Sequence, residues 1–240
     1  DKNEDVYVIE VNPRSSRTVP FLSKATGYFL ADIATLVILG VSLKEQGFTE
    51  SYAKEKNTWY VKAPAFSFSK ISGLDAYLSP EMKSTGEAIG YDEKLTRAMY
   101  KALQASGITL TDHGTVLVTV ADEDKDETFP LVKRFYKLGF NIVATEMTAD
   151  YLKERGIKTR VYGKICEGND DILRDIRSGK INYVINTRAI LSGKHYEDGY
   201  IIRRCAVENN ATMFTSLDTV RMLLEVLEEM TIGISTIDGR

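Results

Sequence analysis

The sequence predicts an α/β protein whose carboxyl-terminal half is a parallel sheet flanked by helices. Three observations carry this. Short apolar runs rich in β-branched residues recur at 116–120, 140–144, 159–162 and 181–185. Helical patterns separate them at 124–138, 147–155 and 171–178. Segments 201–209, 211–214 and 216–229 continue the alternation. Strands separated by helices pair in parallel through right-handed crossovers, with helices on both faces. Such sheets bind ligands at the carboxyl ends of their strands.

The amino-terminal half is less regular. Residues 6–9, Val-Tyr-Val-Ile, read as a strand. A helix is expected over 28–47, with Phe29, Ile33, Leu36, Val37 and Leu43 apolar and with Gly40 and Gly47 ending it. Its run 33–41 is far shorter than the ~20 residues that span a bilayer, so it reads as a buried helix. Residues 59–68 are aromatic, alternate poorly and contain Pro64, as an edge strand and loop would. An amphipathic helix follows from Asp92, a candidate N-cap, to Ser106, with Gly107 as its stop. The change of pattern at Gly107 divides the chain into 1–107 and 108–240.

With 240 residues the chain suits one to two domains, at about 150 residues per domain. A net charge of −3 without a basic stripe disfavours nucleic acid, and no nucleic-acid partner is expected. No secretory signal opens the chain, and Cys166 and Cys205 stand apart without a CxxC pair, so a cytoplasmic protein with no membrane partner is expected. His113 and His195 lie in loop-like sequence and read as surface residues.

Two stretches carry chemistry. After the strand at 6–9, Glu10 and Asn12 are two apart and share a face. A carboxylate and an amide oxygen there suit Mg²⁺ held against ATP phosphates, and Arg14 and Arg17 can meet phosphoryl oxygens. The same residues also fit a strand running into a Pro-Arg turn with a solvated tip. In the second half, Thr145 and Thr148 bracket a helix start, where hydroxyls and free N–H groups converge at a positive dipole end. Thr119 ends the first strand and Lys125 lies at the beginning of the following helix, Lys164 follows the third strand, and Asn186 and Thr187 end the fourth. Each also fits an ordinary cap or a solvated lysine. Their shared rim is what phosphate recognition requires.

From Glu10 to Gly27 the order E-V-N-P-R-x-x-R-T-V-P-F-x-S-K-A-T-G resembles the end of the second ATP-grasp unit of the carbamoyl-phosphate synthase large subunit. A second stretch, Ser79 to Glu87, resembles that family's P-E-M-x-S-T-G-E segment. Residues 108–240 resemble its methylglyoxal-synthase-like regulatory domain, with G-F-x-x-x-A-T-x-x-T at 139–148, I-N at 185–186 and D-x-x-x-I-R-R at 198–204. The resemblance implies a Rossmann-like domain preceded by the tail of an ATP-grasp domain and a helical or irregular segment.

It also implies roles. Glu10 and Asn12 would bind Mg²⁺ or Mn²⁺, and Arg14 and Arg17 would orient phosphoryl groups of ATP. Lys125, Thr145, Thr148 and Lys164 would hold the phosphate of a nucleotide monophosphate, UMP or IMP, and Asn186, Thr187 and Asp198 would contact its sugar side. Glu87 and Thr215 match an ornithine pocket found in some members, although Met213 replaces a tyrosine there. Arg188 stands where a further threonine is common, and the following loop is about two residues longer, so the choice among UMP, IMP, ornithine and phosphoribosyl pyrophosphate stays open.

As the family implies, the partners would be the rest of the large subunit, the glutaminase small subunit and small-molecule effectors; a homo-oligomer is compatible. The activity would be that of an ATP-dependent ligase for pyrimidine and arginine biosynthesis. The glycine-rich lid and nucleotide lysines would lie upstream of Asp1, so these residues alone are expected to be catalytically incompetent. Two other readings are a stand-alone nucleotide sensor and a methylglyoxal synthase-type lyase. The lyase needs a rim aspartate as base, and Thr187-Arg188-Ala189-Ile190-Leu191 lacks the F-W-D-P type segment that supplies one.

Overall fold

The structure, a computed structural model, describes residues 7, 8, 10, 11, 14, 16–49, 55–66, 68, 75–77, 83, 84, 86–187 and 194–232. The chain packs into two compact units, Asp1–Tyr60 and Val61–Arg240. The change of pattern at Gly107 falls inside the second of these.

The first unit holds two short helices, α1 (Thr18–Thr26) and α2 (Leu30–Ile38), bent by 107° at the break between them. The single helix expected over 28–47 is therefore shorter, and the motif before it is itself helical. Gly40 explains the early stop. It adopts φ +94°, and the Val41 N–H bonds the Leu36 carbonyl at 2.9 Å, closing α2 in the left-handed manner that glycine allows. Nor is α2 buried: Phe29 is 73% exposed and Ile38 84%. Among the described residues of its unit, α1 and the turn region after α2 pack beside it and leave these apolar side chains uncovered. Among the described residues no single helix is long and apolar enough to cross a membrane. Of the expected strand at 6–9, only Tyr7 and Val8 are described; both are exposed and neither is in a strand.

β1 (Trp59–Ala65), which belongs to the second unit from Val61 onward, and β2 (Gly86–Asp92) form a two-stranded sheet. The expected edge strand is β1; in so small a sheet Pro64 has an open side to face. The sequence pattern missed β2, whose Gly86 and Gly90 disguise it. At Gly90 a side chain would overlap the Ala98 carbonyl and the Ala102 amide of the next helix, so the glycine is what lets strand and helix touch. That helix, α3, spans Leu95–Ala105. Its N-cap position is Lys94, not Asp92, which ends β2 and accepts the Lys94 N–H at 3.1 Å. Gly107, at φ +90°, stops it as expected.

The main sheet contains β3 (Thr115–Thr119), β4 (Asn141–Thr145), β5 (Thr159–Tyr162), β6 (Tyr183–Asn186) and β7 (Thr212–Phe214). All pairings are parallel, in the order β5-β4-β3-β6-β7. The connecting helices are α4 (Lys125–Lys137), α5 (Glu146–Glu154), α6 (Asp171–Arg177), α7 (Lys194–Glu208) and α8 (Leu217–Ile232).

Alternation along the strands divides the core. Val116, Val118, Ile142, Ala144, Tyr183 and Ile185 pack with residues of α4, α5 and α8. Leu117, Val143 and Val184 face the other way, onto Ile172 and Ile176 of α6 and Ile202 and Ala206 of α7. The result is three layers, each sheet face burying a continuous apolar surface. Because β3 lies between β4 and β6, the chain reverses direction across the sheet there. That places a crevice outside the carboxyl ends of β3 and β6.

Candidate functional site

A cavity of about 130 Å³ opens at this rim. Thr119 ends β3 in register with Asn186, which ends β6, and Asn186 Nδ2 donates to the Thr119 carbonyl at 3.3 Å. The Ala121 N–H donates to Thr187 Oγ1 at 3.0 Å, tying the two strand ends together again one step out.

Thr145 closes β4 and occupies the N-cap position of α5 with extended backbone, yet its hydroxyl makes no capping hydrogen bond. It is left to face the cavity with Thr148, one turn into the helix and only 3% exposed. The first-turn N–H groups of α5 have no helical partner and carry its positive dipole end. Lys164, just after β5, is half-buried with its ammonium 3.7 Å from Glu167. Asp198, on α7, accepts the Cys166 N–H at 3.2 Å, which anchors the turn that presents Lys164.

Six of the seven residues expected around a nucleotide, Thr145, Thr148, Lys164, Asn186, Thr187 and Asp198, line this one cavity. Lys125 does not line it. Its ammonium lies 2.6 Å from Asp122 Oδ1 and donates to the Met147 carbonyl at 3.3 Å, and those two residues do line the cavity. An incoming anion would compete with the exposed Asp122 carboxylate for Lys125.

Sequence reading assigned no part to Asp122, Gly199 or Arg203, all on the wall. For Arg203 a signal existed: two arginines stand inside an apolar helix face between Ile201-Ile202 and Cys205-Ala206, where a cation needs a partner. The partner is Asp75, at 2.7 Å to each carboxylate oxygen. Burial pushes the Asp75 carboxyl up, but the Arg203 fork, the Tyr77 N–H and Lys83 outweigh it and hold it below its ordinary range.

The lining combines hydroxyls, an amide, cations and carboxylates with the apolar Val120, Met147, Ile165, Ile172 and Ile202. Partial desolvation and then the Asp198 carboxylate push the Cys166 thiol up, so a nucleophilic thiolate is scarce at neutral pH. His113 is exposed beside Asp112, away from this rim, and the side chain of His195 lies outside the described residues. Hydroxyls, first-turn N–H groups and a lysine gathered at one rim are suited to holding an oxyanion.

The remaining expected residues are elsewhere. Glu87 sits on β2 with Lys62 of β1 at 3.3 Å. Thr215 lines a separate apolar cavity of about 370 Å³ with Met213, Phe66 and Leu103, and Glu87 is not part of that wall. Glu10, Arg14 and Arg17 are exposed, Arg17 at the N-cap position of α1, and Asn12 lies outside the described residues. Among the described residues no three His, Cys, Asp or Glu side chains come together as a metal site.

Two family models match the sequence. Residues 1–46 match the carbamoyl-phosphate synthase L chain ATP binding domain, and residues 127–215 match the MGS-like domain. This chain matches the carboxyl-terminal region of a carbamoyl-phosphate synthase large subunit. The MGS-like match contains Thr145, Thr148, Lys164, Asn186, Thr187, Asp198 and Arg203, whereas Asp75 lies between the two matches. Among solved structures, the chain is similar to methylglyoxal synthase from Elizabethkingia anophelis NUHP1, at 21% identity over 48% of this chain and 79% of that one, with a TM-score of 0.39. It is also similar to ForH, at 18% identity over 49% and 81%, with a TM-score of 0.41.

Proposed function

We propose that residues 108–240 form a regulatory domain that binds a nucleoside monophosphate at the carboxyl rim of the main sheet, and that residues 1–107 belong to the synthetic domain it regulates. The observation that carries this reading is the convergence of Thr145, Thr148, Lys164, Asn186, Thr187 and Asp198 on one cavity. Phosphate would sit over the first turn of α5, between the two threonine hydroxyls and Lys164, with Lys125 at its edge. Helix N-termini with a nearby cation are suited to that charge. A water-sized volume is about 10–15 Å³ on this scale, so about 130 Å³ holds a phosphoryl group and part of a sugar. The sugar side would then reach Asn186, Thr187 and Asp198, and UMP is the ligand favoured, with IMP second.

In the complete large subunit this domain would set the rate of an ATP-dependent ligase that draws ammonia from a glutaminase subunit. Glu10 and Asn12 would there contact the ATP-bound Mg²⁺ or Mn²⁺, and Arg14 and Arg17 the transferring phosphoryl group, as the ATP-binding match at 1–46 supports.

Titration calorimetry of the chain with UMP, IMP, uridine and ornithine tests the regulatory site. UMP or IMP should bind and uridine should bind at least about ten-fold more weakly. Lys164→Ala should weaken the monophosphate about ten-fold while leaving the far-ultraviolet circular dichroism unchanged. Equal binding of nucleoside and monophosphate would overturn the reading.

A further inference from the structure

The deepest polar group at the rim is the Arg203 guanidinium, on a side chain 2% exposed. Among the described residues it donates three hydrogen bonds, all at 2.7 Å: Nε and Nη2 to the two oxygens of Asp75, and Nη1 to Asn186 Oδ1. An arginine only donates, so the oxygen of the Asn186 amide must face it. The amide NH₂ then points the other way, one hydrogen toward the Thr119 carbonyl and the second available to the cavity that Asn186 lines. Without Arg203 the amide could flip and present an acceptor instead.

The backbone is shaped around this pair. Gly199 stands inside α7, where glycine costs about 1 kcal/mol relative to alanine. A Cβ there would lie 3.1 Å from Arg203 Nη1 and 3.7 Å from both polar atoms of the Asn186 amide. The glycine thus keeps open the passage through which the guanidinium meets the amide. At the far end, Asp75 also accepts the Tyr77 N–H at 3.0 Å, and the Tyr77 ring lies 5.6 Å from the guanidinium carbon.

We propose that Arg203 is the positioning residue of this pocket, which holds Asn186 as a donor toward the sugar side of a bound nucleoside monophosphate and links its occupancy to the Asp75–Tyr77 segment. The inference rests on the nucleotide reading of the cavity. Arg203 touches no ligand in it; it acts through Asn186. Because Asp75 holds Arg203, whatever stabilises the ordered amide also stabilises the Asp75 contacts, and linkage makes the effect reciprocal.

The test compares UMP with inorganic phosphate, on the full chain, by titration calorimetry. Arg203→Lys, which keeps the charge but not the planar fork, and Asp75→Asn, outside the cavity, should each weaken UMP about ten-fold, the effect of losing one well-placed donor. Phosphate should change less than about two-fold, since its partners Thr145, Thr148 and Lys164 are untouched. Gly199→Ala, which presses on the pair without removing it, keeps the question answerable if Arg203→Lys fails to fold. It should show the same split. In amide hydrogen exchange, saturating UMP should slow Tyr77 in the wild type and leave it unchanged in Arg203→Lys. Parallel losses of UMP and phosphate, unchanged UMP affinity in the variants, or a Tyr77 amide indifferent to UMP would overturn this inference alone. A wild type that binds neither ligand would overturn the nucleotide reading and this inference with it.

Discussion

The Tyr162 hydroxyl donates to Asp175 Oδ2 at 2.5 Å, and both side chains are buried where β5 meets α6. Lys180 completes the carboxylate at 2.9 Å from its other oxygen. Burial, and then the Asp175 carboxylate, push the phenol up to about 12. The Tyr162 hydrogen bond first, and Lys180 next, hold the Asp175 carboxyl below its ordinary value.

The signs of these shifts predict an alkaline weakness. An unfolded tyrosine loses its proton near pH 10, whereas Tyr162 in the fold keeps it to about 12. Between those values the folded state binds the extra proton, so its stability falls as pH rises through that window. Urea unfolding at pH 9 and pH 11 should show the midpoint dropping in the wild type. Tyr162→Phe should be less stable by about 1 kcal/mol at pH 7 and should drop less between the two pH values. An identical drop in both proteins would show that Tyr162 does not carry it.

Gly90 gives a prediction about packing. Its missing side chain lets β2 lie against the backbone of α3, at Ala98 and Ala102, both 0% exposed. Backbone cannot swing aside as a long side chain would. Gly90→Ala should therefore destabilise the second unit by about 2 kcal/mol, or ~4–8 °C in Tm. A melting curve within about 1 °C of wild type would mean that β2 and α3 are not in such close contact.

The proposed metal role of Glu10 is tested in the complete large subunit. Mg²⁺ neutralises charge that develops during phosphoryl transfer, and electrostatics supplies most of that catalysis. Glu10→Gln should abolish carbamate phosphorylation and spare the bicarbonate-dependent ATPase of the other synthetic unit. Normal carbamoyl phosphate output from this variant would remove Glu10 from the metal site.

Much of the candidate site was legible because phosphate recognition uses local signals. Thr145 and Thr148 stand where an apolar run turns helical, and Lys164, Asn186 and Thr187 follow apolar runs in the same way. Parallel strands bring such positions to one rim, so reading the strands amounted to locating the cavity. Asp198 came only from the family resemblance. Lys125 was placed at the rim by its position at the start of α4, but its engagement with Asp122 depends on side-chain rotamers that the sequence does not express.

What the sequence by itself determined is the alternation of β3 to β7 with α4 to α8, because strand and helix periods, caps and glycine stops act within a few residues. Gly107 ends α3 and Gly40 ends α2 for such local reasons. Tertiary structure alone decided which distant groups meet. Asp75 and Arg203 are 128 residues apart, and no periodicity connects them. Gly90 acquires its role only where α3 lies on it, and α2 looked like a core helix although Phe29 and Ile38 stay exposed. Burial, and with it the orientation of Asn186 and the partner of Arg203, is a property of the surfaces that come to face each other. Those surfaces are set by how whole elements pack, not by the residues next along the chain.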